Sequence, residues 1–307
     1  MGKYIKILGF PILGLILWRT DLGELGRILE TCRPEYLAVS LGVTATAIIV
    51  KALRWNLMLR YQGFSYPWLN AIIVYFSGIF IGIATPGRLG ELSRVLYVKR
   101  DIDITAGMCL SSVVFDRLLD LYLLMVVGFA ACFRFDIAGR ASPLFLAFLG
   151  ILAIAPLLLL SPRISRFFVR RMLGRAARKK FVKVLSDGVE DFFSGVEKLL
   201  SWRLGLSVLL TLVAYAFFFY AGYLLVKSLG IPIGLTDTTL VLGLANLLSL
   251  VPITVAGVGT RDAVFIFAFS SLALAEAQAL GFSALVLAVF YLGSGLLGLG
   301  CFVFYRS

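Results

Sequence analysis

The sequence predicts an all-α polytopic membrane protein. Of its 307 residues, 60% are hydrophobic and only 15% are charged, and the mean hydropathy is +0.97. Soluble domains carry about 25% charged residues, so this chain has too few to cover a globular surface in water. Because a crossing helix needs about 20 residues, we expect about six full spans, together with two re-entrant helical hairpins.

The residue counts exclude several classes of site. The chain has no histidine, which excludes a Ser-His-Asp triad, a histidine-ligated zinc and histidine acid–base chemistry. The four cysteines never form a C-x-x-C pair and are interpreted as small apolar residues. The sequence also lacks a G-x-x-x-x-G-K-[ST] phosphate loop. We therefore predict no metal, no cofactor and no catalytic residues.

The first half of the chain supplies five apolar runs. Residues 4–18 follow Lys3 and lack a cleavage signature, which indicates a span rather than a removable signal. Residues 21–35 mix both signs of charge and are placed at the membrane interface. The other runs are residues 36–61, 69–85, 107–133 and 143–160.

The second half supplies the remaining apolar runs, which are residues 204–226, 235–251, 263–275 and 279–305. The run at 263–275 has thirteen residues and is short for a full crossing. Charge counting leaves open whether it and the run before it cross completely.

Basic residues predict the orientation. Residues 163–183 contain nine Lys or Arg and no acidic residue, so the positive-inside rule places this loop in the cytoplasm. Counting spans in both directions from it places both termini in the cytoplasm of a multi-pass protein of the cytoplasmic membrane. Lys51 and Arg54 are expected to snorkel to the cytoplasmic interface.

Two glycine-rich breaks predict the tips of the hairpins. Arg88, Glu91 and Arg94 follow the run at 69–85 and cannot face lipid, so we expect this run to enter from the cytoplasm and turn back. The sequence TPGRLG at 85–90 aligns without a gap to TVAGVG at 254–259, at the tip of a hairpin that opens outwards. The predicted tip residues are Pro86, Gly87, Gly90, Pro252, Gly257 and Gly259.

The two tips suggest an inverted repeat within a single membrane domain covering residues 1–307. Residues 1–35 hold the first span and interfacial segment, 36–161 the first repeat, 162–202 a basic connection, and 203–307 the second repeat. Inverted repeats with broken helices are typical of alternating-access transporters. Helix-breaking backbone at membrane depth must be buried in protein or line a wet cavity, so a cavity is predicted between the tips. Chance similarity between glycine-rich breaks is the alternative.

The basic connection is predicted to bind the anionic lipids of the inner leaflet. Residues 163–183 interleave phenylalanine and isoleucine with lysine and arginine, which is typical of an interfacial helix. A nucleic-acid partner is not expected, because nothing positions such a module in a chain this apolar. A helical stripe then predicts a second amphipathic helix through Phe181, Leu185, Phe192, Val196 and Leu199.

Three motifs carry a resemblance to a known family. PGRLGELSRVLYVKR at 86–100, VVFDRLLDLYLL at 113–124 and VPITVAGVGTRDAV at 251–264 resemble the lysylphosphatidylglycerol synthase transmembrane-region family, the flippase-like domain. The resemblance covers nearly the whole chain and implies translocation of polar or lipid-linked headgroups. Val255, Ala256 and Asp262 depart from the family pattern at the second tip. The soluble synthase domain of bifunctional relatives does not accompany these motifs.

Charged residues within the apolar runs are the candidates for function. The substrate-binding candidates are Arg88, Glu91, Arg94, Arg117, Asp120 and Arg261. Arginine suits a lipid phosphate because its planar fork donates two hydrogen bonds at once. The candidates for proton or ion coupling are Asp116, Asp120 and Glu91. The alternative is structural: Arg117 and Asp120, three apart on one helix, would fix that helix against the first hairpin.

We therefore expect a flippase that moves a phospholipid or polyprenyl-phosphate headgroup between leaflets, without enzyme activity. An unpaired ion in hydrocarbon costs tens of kcal/mol, and a polar cavity would remove most of that cost. The alternatives are a membrane-embedded lipid headgroup transferase and a non-catalytic partner of an envelope-lipid enzyme.

Overall fold

The helices of this protein begin and end close to the predicted apolar runs. The computed structural model describes residues 32–83, 85–136, 150, 154, 179–249 and 259–305, and all regular structure in them is helical. The prediction of an all-α fold is therefore confirmed. The runs at 4–18 and 143–160, most of the basic residues at 163–183, and the second tip with Pro252 and Gly257 lie outside the described residues.

The described helices are numbered by their order along the chain. In chain order they are α1 (Pro34–Tyr61), α2 (Trp68–Ile83), α3 (Arg94–Asp101), α4 (Ala106–Arg134), α5 (Lys179–Leu199), α6 (Leu204–Ser228), α7 (Leu235–Ser249), α8 (Thr260–Ser271) and α9 (Glu276–Phe304). A 3₁₀ segment, Pro86–Ser93, lies between α2 and α3, and a π-helical segment, Leu287–Gly293, lies within α9.

Several helices have the length and composition of membrane spans. Helices α1, α6 and α9 contain 28, 25 and 29 residues and are apolar enough to cross a bilayer. Helix α4 contains 29 residues and continues without a break through Asp116, Arg117 and Asp120. At about 1.5 Å per residue, each of these helices exceeds the hydrocarbon thickness of about 30 Å. The polytopic class is thus supported, while the number of crossings stays a prediction.

The chain reverses direction after α2, as the first glycine-rich break predicts. The hydroxyl of Thr85 accepts a hydrogen bond of 2.7 Å from the Gly90 N–H and so closes the turn. The returning segment then lies directly against α2. A Cβ atom at Gly82 would lie 2.6 Å from Cγ of Glu91, and one at Gly90 would overlap the carbonyl oxygen of Ile81. The helical hairpin is present, and its re-entrant position in the bilayer stays a prediction.

The close approach at the hairpin predicts a stability loss for Gly90→Ala. The new methyl group would meet backbone at Ile81, which cannot rotate away, so we expect a loss of about 1–3 kcal/mol in unfolding free energy. Gly42→Ala in α1 is the matched control, because nothing lies within 4 Å of a Cβ there. It should be stabilising by about 0.5–1 kcal/mol. Thermal unfolding in detergent checks both variants, and equal behaviour of the two would contradict the close packing.

The predicted second amphipathic helix is present as α5 and packs against the beginning of α4. A Cβ atom at Gly107 would overlap the carbonyl oxygen of Gly188, so the two helices touch through backbone. Within the predicted stripe, Val196 and Leu199 are buried. The neighbouring Phe193 is also buried. The contact with α4 explains why these three side chains are buried, because an amphipathic helix that packs on protein turns its apolar stripe towards it.

Two apolar clusters position the charged residues described next. The larger cluster is built mainly from α4 and α6 to α9. The smaller one joins α1, α2, α3 and the first half of α4, and it includes the fully buried Trp55 and Tyr75. These two rings form one wall of the candidate site.

Candidate functional site

Asp116 is the centre of a buried cluster of charges. Its carboxylate accepts two hydrogen bonds on Oδ1 from Arg54, of 2.7 and 3.0 Å, and Oδ2 lies 3.2 Å from Nη1 of Arg94. None of the three side chains has exposed surface. The two arginines come from α1 and from the start of α3, so Asp116 joins both elements to α4.

Asp120, one turn further along α4, pairs with Lys51 and shares Arg54 with Asp116. Nζ of Lys51 lies 3.0 Å from its Oδ2, and Nη1 of Arg54 lies 2.9 Å from its Oδ1. Arg54 also donates a 2.7 Å hydrogen bond from Nη1 to the hydroxyl of Thr211 on α6. The prediction that Lys51 and Arg54 snorkel to the interface is therefore wrong. They turn inward because α4 presents two carboxylates to α1, and pairing lowers the cost of burying the charges.

Glu91 joins the first hairpin to α4 through Arg117. The closest pair is Nη2 of Arg117 and Oε2 of Glu91, at 2.7 Å. Nη2 of Arg117 also donates a 2.8 Å hydrogen bond to the hydroxyl of Tyr75, which itself donates to Asp116 over 3.2 Å. The structural interpretation of Arg117 is thus supported, although its strongest partner is Glu91 rather than Asp120, which lies 3.8 Å away.

Aromatic rings cover the cations from one side. The guanidinium carbon of Arg94 lies 4.9 Å from the Trp55 ring and 4.4 Å from the Tyr75 ring. Its burial means that Arg94 touches only protein in this conformation. Arg117 is the most accessible member of the cluster, with 27% of its side chain exposed. Substrate contact by these arginines stays a prediction, and Arg117 is the member best placed for it.

The cluster carries one positive charge in excess. Its cations are Lys51, Arg54, Arg94 and Arg117, and its carboxylates are Glu91, Asp116 and Asp120. An uncompensated charge in a low-dielectric environment is costly, so a bound anion would stabilise this arrangement. Each of the three carboxylates already has a cationic partner. Their role in coupling transport to protons or ions stays a prediction.

A second cationic centre lies at Tyr291, on the π-helical segment of α9. The guanidinium carbon of Arg88 lies 5.4 Å from the centroid of this ring, and that of Arg261 lies 5.3 Å from it. Arg88 has a φ of 57°, a left-handed conformation that costs an L-residue about 1–2 kcal/mol. Strained backbone and π-helical turns are both frequent at functional sites. The first tip and the start of α8 therefore meet at one tyrosine.

The start of α8 holds Arg261 in place. Gly259 has a φ of 88°, and its N–H donates a 2.8 Å hydrogen bond to Oδ2 of Asp262. The other oxygen of Asp262 accepts from the hydroxyl of Ser283 and lies 3.3 Å from Nη2 of Arg261. Arg261 is only 3% exposed, yet its Nη1 donates to no group of the described residues. One buried N–H group therefore remains available to an anion.

Comparison with known proteins agrees with the motifs in the sequence. The family model described as lysylphosphatidylglycerol synthase TM region matches residues 6–298. A UPF0104 membrane protein of Methanocaldococcus jannaschii is 22% identical over 285 residues, which cover 87% of this chain and 84% of that protein. A UPF0104 membrane protein of Pyrococcus horikoshii is 25% identical over 164 residues, 52% of this chain and 48% of its own length.

Proposed function

The chain belongs to the lysylphosphatidylglycerol synthase TM-region family, and from this premise we propose that it is a lipid flippase without enzyme activity. It would move the polar headgroup of a phospholipid or polyprenyl-phosphate lipid between leaflets by alternating access. We place it in the cytoplasmic membrane, with both termini and the basic residues at 163–183 on the cytoplasmic side, where anionic lipids would bind the basic residues.

The convergence of Arg88 and Arg261 on Tyr291 carries this proposal. The two guanidinium groups lie on one ring, 5.4 and 5.3 Å from its centroid, and the buried Nη1 of Arg261 has no hydrogen-bond partner among the described residues. Arginine is well suited to phosphate because its donors match the spacing of two phosphate oxygens. A phosphate at this position would meet both halves of the chain at once, as a substrate of an alternating-access carrier must.

The first hairpin is the element that would move, because ion pairs attach it to α4. Glu91 and Arg117 form a 2.7 Å pair between the hairpin and α4, at the accessible edge of the cluster. A phosphate that competes for Arg117 would release Glu91 and weaken the attachment of the hairpin. The state with the hairpin attached and the state with the hairpin released would then differ in their affinity for substrate. Such a difference is what a ligand needs in order to shift the population from one state to the other.

The decisive experiment is reconstitution of the purified chain in vesicles with labelled lipids. Exchange of a labelled phosphatidylglycerol or polyprenyl phosphate between leaflets, without chemical change, is the expected result. Protein-free vesicles and vesicles with heat-denatured protein are the controls. Formation of a new lipid product would indicate a headgroup transferase instead. Neither exchange nor product for any lipid tested would indicate a non-catalytic partner of another enzyme.

Coupling to protons predicts a specific effect of Asp120→Asn. The substitution leaves Lys51 and Arg54 with a weaker partner, so we expect slower transport and no response to an imposed pH gradient. The matched control is Asp103→Asn, an exposed carboxylate between α3 and α4. Full transport with an unchanged response to the gradient in Asp120→Asn would remove Asp120 from the coupling mechanism.

A further inference from the structure

An apolar groove of about 500 Å³ runs between α4 and α6. Its walls include Leu123 and Val126 from α4 and Leu212 and Ala216 from α6. Val126 and Leu212 are 70% and 53% exposed, so the groove opens to the surroundings of the helices, which in a membrane are lipid chains. The volume lies within the range of about 300–1,000 Å³ that small-molecule sites occupy.

The groove borders the buried cations. Two of its lining residues, Thr211 and Tyr215, are direct partners of the cluster. The Thr211 hydroxyl accepts a 2.7 Å hydrogen bond from Arg54, and Nζ of Lys51 lies 4.0 Å from the centroid of the Tyr215 ring. Thr211 and Tyr215 thus connect an apolar groove open to lipid with a cluster that has one positive charge in excess.

The apolar walls and the nearby cations are complementary to an amphiphile with a single anionic headgroup. Hydrocarbon gains from contact with the apolar walls, and an anion gains from Lys51, which contacts the lining residue Tyr215. A free phosphate would fit only beside the cations, because it gains nothing from the walls. A neutral lipid would fit only the walls, because it would leave the excess charge unbalanced.

We infer that this groove holds one hydrocarbon chain of the lipid, and that the phosphate of the same lipid passes Thr211 and Tyr215 to reach Lys51 and Arg117. The inference rests on the proposed function and adds to it the position of the substrate's hydrocarbon chain and the cations that its phosphate contacts. Both cations keep accessible surface, with 27% of the Arg117 side chain and 16% of the Lys51 side chain exposed.

Photo-crosslinking tests the chain position independently of transport. The protein is reconstituted in vesicles of digalactosyldiacylglycerol, an uncharged bilayer-forming lipid, that contain a trace of phosphatidylglycerol with a diazirine in its acyl chain. After illumination, labelled residues are identified by mass spectrometry. We expect Leu123, Val126 and Leu212 to be labelled at least ten-fold more than Leu209, which is exposed on α6 outside the groove. Even labelling of all exposed apolar residues would show annular lipid only and would overturn the inference.

Tryptophan substitutions inside and outside the groove test whether the groove is needed for lipid exchange. Ala216→Trp should lower groove labelling and lipid exchange at least ten-fold, whereas Leu209→Trp on the same helix should change neither. Val126→Trp narrows the mouth from α4 at a 70% exposed position, so it provides the same test if Ala216→Trp does not fold. Normal exchange in a folded groove-filled variant would overturn the inference while leaving the proposed function intact.

Competition distinguishes a lipid phosphate from a free one. Millimolar glycerol phosphate should leave groove labelling unchanged, and unlabelled phosphatidylglycerol should displace the label. Complete displacement by glycerol phosphate would show that the chain does not determine binding, and would overturn the inference. Selective, competable labelling without any leaflet exchange would instead support the inference and contradict the proposed transport.

Discussion

Asp116→Asn is expected to cost about 3–5 kcal/mol of folding free energy, the range for breaking a buried ion pair by removing one partner. The new side chain has nearly the same shape, so the effect isolates the charge. Arg54 and Arg94 both pair with Asp116, and neither has any exposed surface through which water could replace the carboxylate. Unfolding by heat or denaturant in detergent micelles measures the loss.

The control for Asp116 is a pair with similar distance and different burial. Arg134 and Asp237 lie 3.0 Å apart, but 49% and 23% of their side chains are exposed. Asp237→Asn should therefore cost less than about 1 kcal/mol. If Asp116→Asn is no more destabilising than Asp237→Asn, the cluster does not hold α1, α3 and α4 together. Adding Arg94→Gln to Asp116→Asn should recover part of the loss, because one uncompensated charge is removed.

The sequence predicts the long helices well because their boundaries depend on local composition. The runs at 36–61, 204–226 and 279–305 match Pro34–Tyr61, Leu204–Ser228 and Glu276–Phe304 within three residues. The run at 107–133 forms one helix despite its three charges, because those charges find buried partners. Hydropathy thus predicts where helices lie, even where it does not predict how charges are neutralised.

The partners within the cluster could not be predicted from spacing. Arg54 lies 62 residues from Asp116 along the chain, and the sequence does not show which face of α4 is turned towards α1. Snorkelling is predicted from the long flexible side chains of Lys51 and Arg54 alone, and such a prediction uses no information about neighbouring helices. Tyr291 was missed for a related reason. It is one aromatic residue within a long apolar run, and it becomes notable only because Arg88 and Arg261 approach it from distant segments.

Arg261→Gln is expected to reduce lipid translocation by roughly ten-fold to a hundred-fold. A hydrogen bond to a charged group contributes about 1.5–3 kcal/mol, and every 1.4 kcal/mol corresponds to about a factor of ten. The variant removes the buried Nη1 donor that has no protein partner among the described residues. Arg261→Lys retains the charge but not the planar fork, so its transport rate should lie between those of wild type and Arg261→Gln. Initial rates of leaflet exchange in reconstituted vesicles measure all three.

A structural role for Arg261 alone would give a different pattern, because it would affect stability and transport together. Arg134→Gln, at the exposed pair with Asp237, controls for removing a positive charge anywhere in the protein and should leave transport unchanged. Tyr291→Phe separates the two possibilities further. It keeps the ring and both positive charges and removes only the hydroxyl, with which Arg88 and Arg261 also interact, so it should slow transport less than Arg261→Gln. Wild-type transport in folded Arg261→Gln protein would show that the phosphate does not bind at Tyr291.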